Sequence, residues 1–390
     1  MYEQYKKIIV RGSTIVDDTI WMIGSINGGL YRQNIDSGEI ELVCVLDDGQ
    51  DRRENKFSLM YSYEDYIFIM PQNSYSIFVY NIKDNYCIRR DIKCNHNDIG
   101  YATVFCCFYK GRMYFFSEFE SCDCGFLDLK TMEIELNRNF RKALAGENFV
   151  REKYLMNAAI LIDSEVVFGL YKTNIVMHFD LETNCISRKE YLDTDIQLDR
   201  MLKFFDYILY ITVKNIVYVQ MLNEPLEKYI INIWDDDVSA IKAVGDKEKI
   251  FLIPQRGREI AVLRLSDRIC HSLKYDYSMA SNKFERVFYC LNLLANNIYI
   301  YSWLEGYKLC IDIETGKTKR LELSLNRERS GKELATEFVR KWNFESLQTL
   351  YEEDVPLEIY LKFVSEYEKL KYIRNGSKNE KKFDPCSASR

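Results

Sequence analysis

The chain repeats one short strand-like segment seven times, and this repetition restricts its fold more than any other feature. Each copy is a run of aromatic and β-branched residues, such as YIFIMP at 66–71. The copies begin at Ile20, Ile67, Met113, Val166, Ile208, Ile250 and Ile298. Their spacings are 47, 46, 53, 42, 42 and 48 residues, and a period of this length is typical of stacked units that each form one small sheet.

Further strand-like runs surround each copy. One run precedes it, as in SLMYSY at 58–63, and another follows it, as in SIFVYNI at 76–82. A polar turn then leads into a fourth, more charged run, such as TKRLELSL at 318–325. Buried inner strands are continuously apolar, whereas exposed edge strands carry charge. The pattern therefore predicts an all-β fold, a β-propeller of seven four-stranded blades; six or eight blades and a β-sandwich are the alternatives.

The strand pattern divides the chain into three predicted parts. The β-propeller occupies residues 1–325. Ser330 and Glu333 have the spacing of a capping box, and a second amphipathic stretch follows, so residues 326–372 are predicted to form a two-helix C-terminal appendix. Residues 373–390 are polar and basic and are predicted to form a disordered tail.

Composition narrows the range of partners and compartments. A hydrophobic fraction of 47% is ample for a packed core, and a net charge of −6 gives no long-range attraction for nucleic acid. We therefore expect no nucleic-acid partner. The sequence shows neither a signal peptide nor an apolar stretch long enough to span a membrane. Most of the 12 cysteines lie in strand-like runs, so we expect reduced thiols and a cytoplasmic location.

The turns after the third run carry a family resemblance. The sequences IDSG at 35–38, LETN at 181–184 and IETG at 313–316 follow strand-like runs and resemble the turns of kelch-like and quinoprotein-like β-propeller repeats. The resemblance covers residues 10–325, and it implies the propeller fold but no particular activity. The chain departs from both families. It has one double glycine, Gly28–Gly29, where kelch repeats have one in most blades, and its four tryptophans do not recur as in quinoprotein repeats.

Aromatic and arginine side chains in predicted loops form the first candidate site. In a propeller, the loops between the second and third strands lie on the same face as the connectors between blades. Aromatic residues and arginine are frequent at the centres of protein interfaces. The candidate binding residues on this face are Tyr75, Trp234, Arg256, Arg258, Trp303 and Tyr307.

Basic residues near the predicted channel mouth form the second candidate site. Each lies where the innermost strand of a blade begins, so their side chains are expected to converge on the central axis. Converging cations bind phosphate or carboxylate groups, unless neighbouring carboxylates neutralise them. The candidate binding residues are Lys56, Lys153, Arg200 and Arg286.

Metal binding and catalysis have weaker support in the sequence. Cys94, His96, Cys122 and Cys124 are of the right types for zinc, but their Cys-x-His and Cys-x-Cys spacings are unfavourable, so we predict no metal site and no cofactor. His178 lies inside a strand-like run and is predicted to be a core residue. Because no nucleophile–base pair or phosphate-binding glycine loop can be assembled, we predict no catalytic residues.

Three functions remain compatible with the sequence. The first is a non-catalytic scaffold that binds a protein or peptide on the loop face. The second is a propeller that binds a small ligand or a glycan through an anionic group at the channel mouth. The third is a glycan lyase or hydrolase. Because a propeller hosts many unrelated functions, the choice depends on the site rather than on the fold.

Overall fold

The computed structural model describes the strands of the repeat region and most of their turns. The described residues are 8, 10–24, 28–35, 38–48, 56–93, 100–117, 123–137, 140, 144, 156–213, 216–222, 227–230, 242–254, 259–264, 269–276, 288–302 and 306–323. The predicted appendix at 326–372 and the tail at 373–390 lie outside them.

Seven separate antiparallel sheets of four strands each confirm the predicted seven-bladed β-propeller. Within each sheet the strands hydrogen-bond in chain order, and we call them A to D from first to last. Blade 1 contains β1 (Val10–Val16), β2 (Thr19–Gly24), β3 (Gly29–Asn34) and β4 (Ile40–Val45). Blade 2 contains β5 (Phe57–Tyr63), β6 (Tyr66–Pro71), β7 (Ser76–Asn81) and β8 (Tyr86–Asp91).

The remaining blades repeat this arrangement. Blade 3 contains β9 (Thr103–Tyr109), β10 (Arg112–Ser117), β11 (Cys124–Asp128) and β12 (Ile134–Asn137), and blade 4 contains β13 (Ala159–Ile162), β14 (Glu165–Gly169), β15 (Ile175–Asp180) and β16 (Cys185–Tyr191). Blade 5 contains β17 (Leu198–Phe204), β18 (Tyr207–Thr212), β19 (Ile216–Met221) and β20 (Glu227–Ile230), and blade 6 contains β21 (Lys242–Gly245), β22 (Lys249–Ile253), β23 (Glu259–Arg264) and β24 (Ile269–Lys274). Blade 7 contains β25 (Phe288–Leu294), β26 (Asn297–Ser302), β27 (Tyr307–Asp312) and β28 (Thr318–Glu322).

Burial falls from the inner strands to the outer strand, as the sequence pattern predicts. In blade 2, all six residues of β7 are buried, whereas none of the six residues of β8 is. A strand with a neighbouring blade on each face needs apolar residues on both faces, while the outer strand faces solvent. The charged D strands therefore cover the rim of the propeller and discourage edge-to-edge aggregation.

The core consists of layers between neighbouring blades. Phe68 and Met70 of β6 pack with Phe115 of β10, and equivalent layers recur between other blades. The A strands also approach closely: a Cβ on Gly12 of β1 would lie 2.7 Å from the backbone oxygen of Ser58 in β5. Glycine is therefore required at position 12, where two inner strands meet.

The last residue of the C strand organises the turn to the D strand in several blades. The side chain of Asp180 at the end of β15 accepts hydrogen bonds from the backbone nitrogens of Glu182 and Thr183, both at 2.7 Å. Asp128 and Asp312 make the same pair of bonds in blades 3 and 7. These bonds explain the recurring turn sequence, because the aspartate satisfies backbone donors that the turn would leave unpaired.

The ends of the propeller meet beside blade 7. The backbone nitrogen of Ile8 donates to the carbonyl oxygen of Leu323, which directly follows β28, at 2.9 Å. Ile8 also packs in a buried cluster with Val10, Leu323 and Tyr301. The first blade, which is the least clearly framed in the sequence, is a complete four-stranded sheet. Among the described residues, no helix has the length and apolar character needed to cross a membrane.

Candidate functional site

The two faces of the propeller differ in the length of their loops. The A–B and C–D turns lie on one face, called here the turn face. The A–B turns contain two residues in most blades, as at Asp17 and Asp18. The B–C loops and the connectors between blades lie on the opposite face, called here the loop face. The connectors comprise residues 46–56, 92–102, 138–158, 192–197, 231–241 and 275–287. The strand ends that these longer segments join therefore lie on the loop face.

Bulges mark the start of the A strands at the loop-face end of the channel. The register shifts after the first residue in β1, β5, β17 and β25. A bulge bends its strand and redirects the side chain of the extra residue. In β5 that residue is Ser58, whose buried hydroxyl makes no hydrogen bond in the structure. The bulge in β5 thus places a buried polar side chain at a position that plain strand alternation would not predict.

Two of the cations predicted at the channel mouth fall in the described part of the chain, and each lies beside a carboxylate. The Lys56 ammonium is 2.6 Å from Oδ1 of Asp48, a side chain with no exposed area. The guanidinium of Arg200 is 2.7 Å from Oδ2 of Asp199. Asn157, in the connector that leads into blade 4, donates to the other oxygen of Asp199 at 2.9 Å. These carboxylates balance the positive charge of Lys56 and Arg200. An anionic ligand would therefore have to compete with them for either cation.

The other two predicted cations, Lys153 and Arg286, lie outside the described residues. Binding of an anionic small molecule or glycan at the mouth therefore stays a prediction.

Among the predicted aromatic and arginine residues, the structure describes Tyr75 and Tyr307. The hydroxyl of Tyr75 accepts a hydrogen bond from the backbone nitrogen of Gly100 at 3.0 Å, which joins a B–C loop to the next connector. Tyr307 begins β27, is fully buried, and lies 3.9 Å from the guanidinium carbon of Arg320. Tyr75 therefore positions loops, and Tyr307 packs beneath the surface. Trp234, Arg256, Arg258 and Trp303 fall outside the described part of the chain.

The loop face of blade 4 carries exposed aromatic and basic side chains that sequence reasoning missed. Tyr191, at the end of β16, is 66% exposed, and the Lys189 ammonium lies 5.1 Å from the centre of its ring. In the adjoining B–C loop, the Lys172 ammonium lies 5.1 Å from the ring of Tyr171. The signal in the sequence is a lysine and a tyrosine two residues apart, in KEY at 189–191 of an outer strand. It indicates an exposed surface only when the end of the strand that reaches the loop face is known.

His178 is buried in β15, which confirms the prediction that it is a core residue. Its Nδ1 is 3.1 Å from Oε2 of Glu165, and Ser187 donates to the other oxygen of this glutamate at 2.5 Å. The hydrogen bond from Ser187, followed by those from His178, holds the pKa of Glu165 below its usual value. The glutamate therefore separates the serine from the imidazole, whereas a nucleophile–base pair requires a direct bond between them.

Of the predicted metal-ligand candidates, Cys124 alone falls in the described part of the chain. It begins β11 and is buried, and burial together with the nearby Asp123 raises the pKa of its thiol well above the usual value. Cys94, His96 and Cys122 lie outside the described residues. Within the described ranges, no group of three or more His, Cys, Asp and Glu side chains is placed to hold a metal ion.

Comparisons with known proteins agree on the fold. No protein-family model and no curated protein matches the chain. Among 1433 matching chains of solved structures is the computationally designed Ika8 protein, at a TM-score of 0.52 and 12% identity over 82% of this chain and 89% of that one. The β-propeller domain of Cps50 (Swd1) from Myceliophteria thermophila has a TM-score of 0.53 and 10% identity over 80% of this chain and 95% of that one.

A variant of KlHsv2, with its loop 6CD replaced by a Gly-Ser linker, has a TM-score of 0.52 and 7% identity over 81% of this chain and 99% of that one. Two longer matched chains are covered over 39% of their length. At identities this low, the similarity shows the fold and does not extend to function. The chain is thus a seven-bladed β-propeller that resembles other propellers at the level of the fold.

Proposed function

We propose that the chain is a non-catalytic scaffold that binds a protein or peptide partner on its loop face. The observation that carries this proposal is the asymmetry between the faces. The turn face is closed by short turns, such as those at 64–65 and 110–111, whereas the loop face has connectors of up to 21 residues at 138–158. Loops on a rigid scaffold are where binding residues concentrate, because they vary without cost to the core.

Blade 4 supplies the described part of the proposed binding surface. Tyr191 presents a large ring to solvent, with the Lys189 ammonium beside it. Tyrosine rings combine apolar area with a hydrogen-bonding hydroxyl and have few rotatable bonds, so they are favoured anchors in interfaces. We propose that Trp234, Trp303 and Arg256, predicted on the same face, extend this surface.

The compartment is inferred from composition. A chain with 12 cysteines whose described thiols are all reduced suits a cytoplasmic partner better than a secreted one. We therefore propose a cytoplasmic scaffold.

Quantitative affinity capture from the native cell tests the proposed surface. One variant combines Tyr191→Ala with Trp234→Ala and Trp303→Ala on the loop face. A matched control combines Tyr86→Ala and Ile269→Ala, two residues near the turn face that are 43% and 50% exposed. Truncating interface anchors costs a partner at least about tenfold in affinity. We therefore expect the loop-face variant to lose specific partners and the control to retain them.

Both variants need thermal unfolding curves like that of the unmodified chain, so that a loss of partners is not a loss of folding. If the loop-face variant keeps every partner, or if only the turn-face control loses them, the proposed surface is wrong.

A further inference from the structure

Two cysteines from neighbouring blades meet on the rim of the propeller. Cys44 lies in β4, the outer strand of blade 1, and Cys87 lies in β8, the outer strand of blade 2. The thiol of Cys87 is hydrogen-bonded to Cys44, and both thiols are reduced in the structure. Their cross-strand neighbours, Leu30 and Tyr80, belong to the apolar layer between these two blades. The pair therefore spans a seam between two sheets that share no backbone ladder.

Neighbouring contacts hold the two outer strands together at this point. The guanidinium of Arg89 in β8 donates to the carbonyl oxygen of Asp47, just after β4, at 3.2 Å. Deeper in the same seam, the rings of Trp21 and Tyr80 have centroids 5.3 Å apart. A disulfide needs two cysteines whose sulfur atoms already approach one another, since large backbone movements store strain. Contacts on both sides of the thiol pair keep the two outer strands, and with them Cys44 and Cys87, next to each other.

We propose that Cys44 and Cys87 form a reversible disulfide that fastens blade 1 to blade 2. Two thiols suit a disulfide better than a zinc site, which takes four ligands. The described residues bring no third metal-binding side chain to the pair. The exposure of the two thiols indicates which one reacts first. Cys87 is exposed and reacts with the oxidant, and the half-buried Cys44 then completes the disulfide bond.

The reaction balances with a peroxide as the oxidant. The Cys87 thiolate attacks one oxygen of hydrogen peroxide, which breaks the O–O bond and gives a sulfenic acid and, after protonation, one water. The Cys44 thiolate then attacks the sulfenic sulfur and displaces hydroxide, which leaves as a second water. The thiol pair loses two electrons and two protons, and the peroxide gains them. A dithiol reductant restores both thiols by exchange.

The environment of Cys87 predicts how the reaction depends on pH. Its hydrogen bond with Cys44 raises the pKa of the Cys87 thiol well above the usual value. The thiolate is the reacting form, so oxidation is slow at neutral pH. In this range the thiolate fraction, and with it the rate, rises about tenfold for each pH unit.

Peptide mapping of the full chain tests the proposal. The protein is incubated with hydrogen peroxide at pH 7 and at pH 9, remaining thiols are blocked with N-ethylmaleimide, and the digest is analysed without reduction. We expect a peptide pair joined through Cys44 and Cys87, formed faster at pH 9 and released by dithiothreitol. The unmodified chain decides the outcome, so the test does not depend on the folding of a variant.

Matched variants separate this disulfide from general oxidation. Cys87→Ser removes the linked pair, whereas Cys185→Ser, at an exposed cysteine in the outer strand of blade 4, leaves it unchanged. The proposal is overturned if Cys87 is converted to a sulfinic acid without the link, or if it pairs with another cysteine or with a second chain.

Discussion

The ammonium group of Lys308 in β27 donates a hydrogen bond to the side-chain oxygen of Gln33 in β3, so a cation joins the last blade to the first. Lys308 is 3% exposed, and its Nζ lies 4.6 Å from the ring centre of Tyr299 and 5.9 Å from that of Tyr301. Aromatic faces attract cations, but they do not replace the hydration that a buried ammonium loses. The junction that closes the ring therefore depends on a charge held in an unfavourable environment.

Stability is predicted to depend on Lys308 most strongly between pH 8 and 10.5. Burial lowers the pKa of Lys308 from 10.5 to about 8, so across this range the unfolded chain binds more protons than the folded one. Stability then rises with pH. Relative to Lys308→Met, the free energy of unfolding of the unmodified chain should increase by about 3 kcal/mol from pH 8 to 10.5.

Urea unfolding of both proteins across this pH range measures the difference directly. Burial raises the pKa of the neighbouring Cys310 thiol and the charge of Lys308 opposes this rise, so both proteins also carry Cys310→Ser. A difference that stays flat with pH would show that Lys308 keeps an ordinary pKa.

The ion pair of Lys56 and Asp48 gives a second prediction about stability. Asp48 has no exposed side-chain area, so Lys56→Met leaves a buried carboxylate without its cation. Loss of one partner of a buried pair costs about 3–5 kcal/mol. Combining Lys56→Met with Asp48→Asn should recover much of this loss, because the remaining group is neutral.

The control for this prediction is Arg32→Met. Arg32 and Glu41 form a pair of similar length, 2.9 Å, but both side chains are about half exposed. Exposed pairs contribute less than about 1 kcal/mol. Chemical denaturation of the four proteins tests the contrast, and equal losses at Lys56 and Arg32 would contradict the assigned role of burial.

The fold could be predicted from the sequence because its signal recurs. β6 (Tyr66–Pro71) matches the run YIFIMP residue for residue, since buried inner strands leave a dense apolar pattern that the turns interrupt. The apolar sequence LKFF at 202–205 crosses the end of a strand: β17 ends at Phe204, and Phe205 is a turn residue at φ 53° with 49% exposure. Hydrophobicity alone cannot distinguish the end of a strand from an apolar turn.

The candidate site was harder to predict because it depends on contacts between blades. Lys56 directly precedes β5 and Arg200 is the third residue of β17, but the sequence does not identify the carboxylates beside them. Asp48 lies eight residues before Lys56 in the chain, and the sequence gives no sign that its side chain contacts the Lys56 ammonium. The burial of Lys308 could not be predicted either, because a lysine in a C strand gives no sign that blade 1 packs against it.

The aspartates of the C–D turns predict a loss of stability in acid. Hydrogen bonds from backbone nitrogens lower the pKa of Asp128 and Asp180. The side-chain and backbone hydrogen bonds from Thr315 lower the pKa of Asp312. Groups with lowered pKa values stabilise the folded chain above their unfolded pKa, and this stabilisation is lost as the pH falls through the folded value. The chain should therefore lose stability below about pH 4, where unfolded aspartates begin to bind protons.

Blade 2 provides the variant that isolates this effect. There Asn81 holds the equivalent position and accepts a bond from the backbone nitrogen of Asp84 at 2.8 Å without a titrating group. Replacing the three aspartates by asparagine should flatten the dependence of melting temperature on pH between about 2 and 4. If the triple variant melts with the same acid dependence as the unmodified chain, other carboxylates are responsible.

The A–B turn of blade 7 offers a stabilising substitution. Ala295 is exposed and has φ 46°, a left-handed conformation in which the Cβ of an L-residue is crowded by its own backbone. Ala295→Gly removes this strain and should raise the free energy of unfolding by about 1 kcal/mol, whereas Ala295→Val should lower it.

Asn296→Gly is the matched control, because it changes the neighbouring turn residue, which does not have a positive φ. Asn296→Gly makes the unfolded chain more flexible and should therefore lower the free energy of unfolding slightly. Urea unfolding of the three variants measures these changes, and a gain at Asn296 equal to that at Ala295 would show that turn flexibility, not left-handed strain, limits stability.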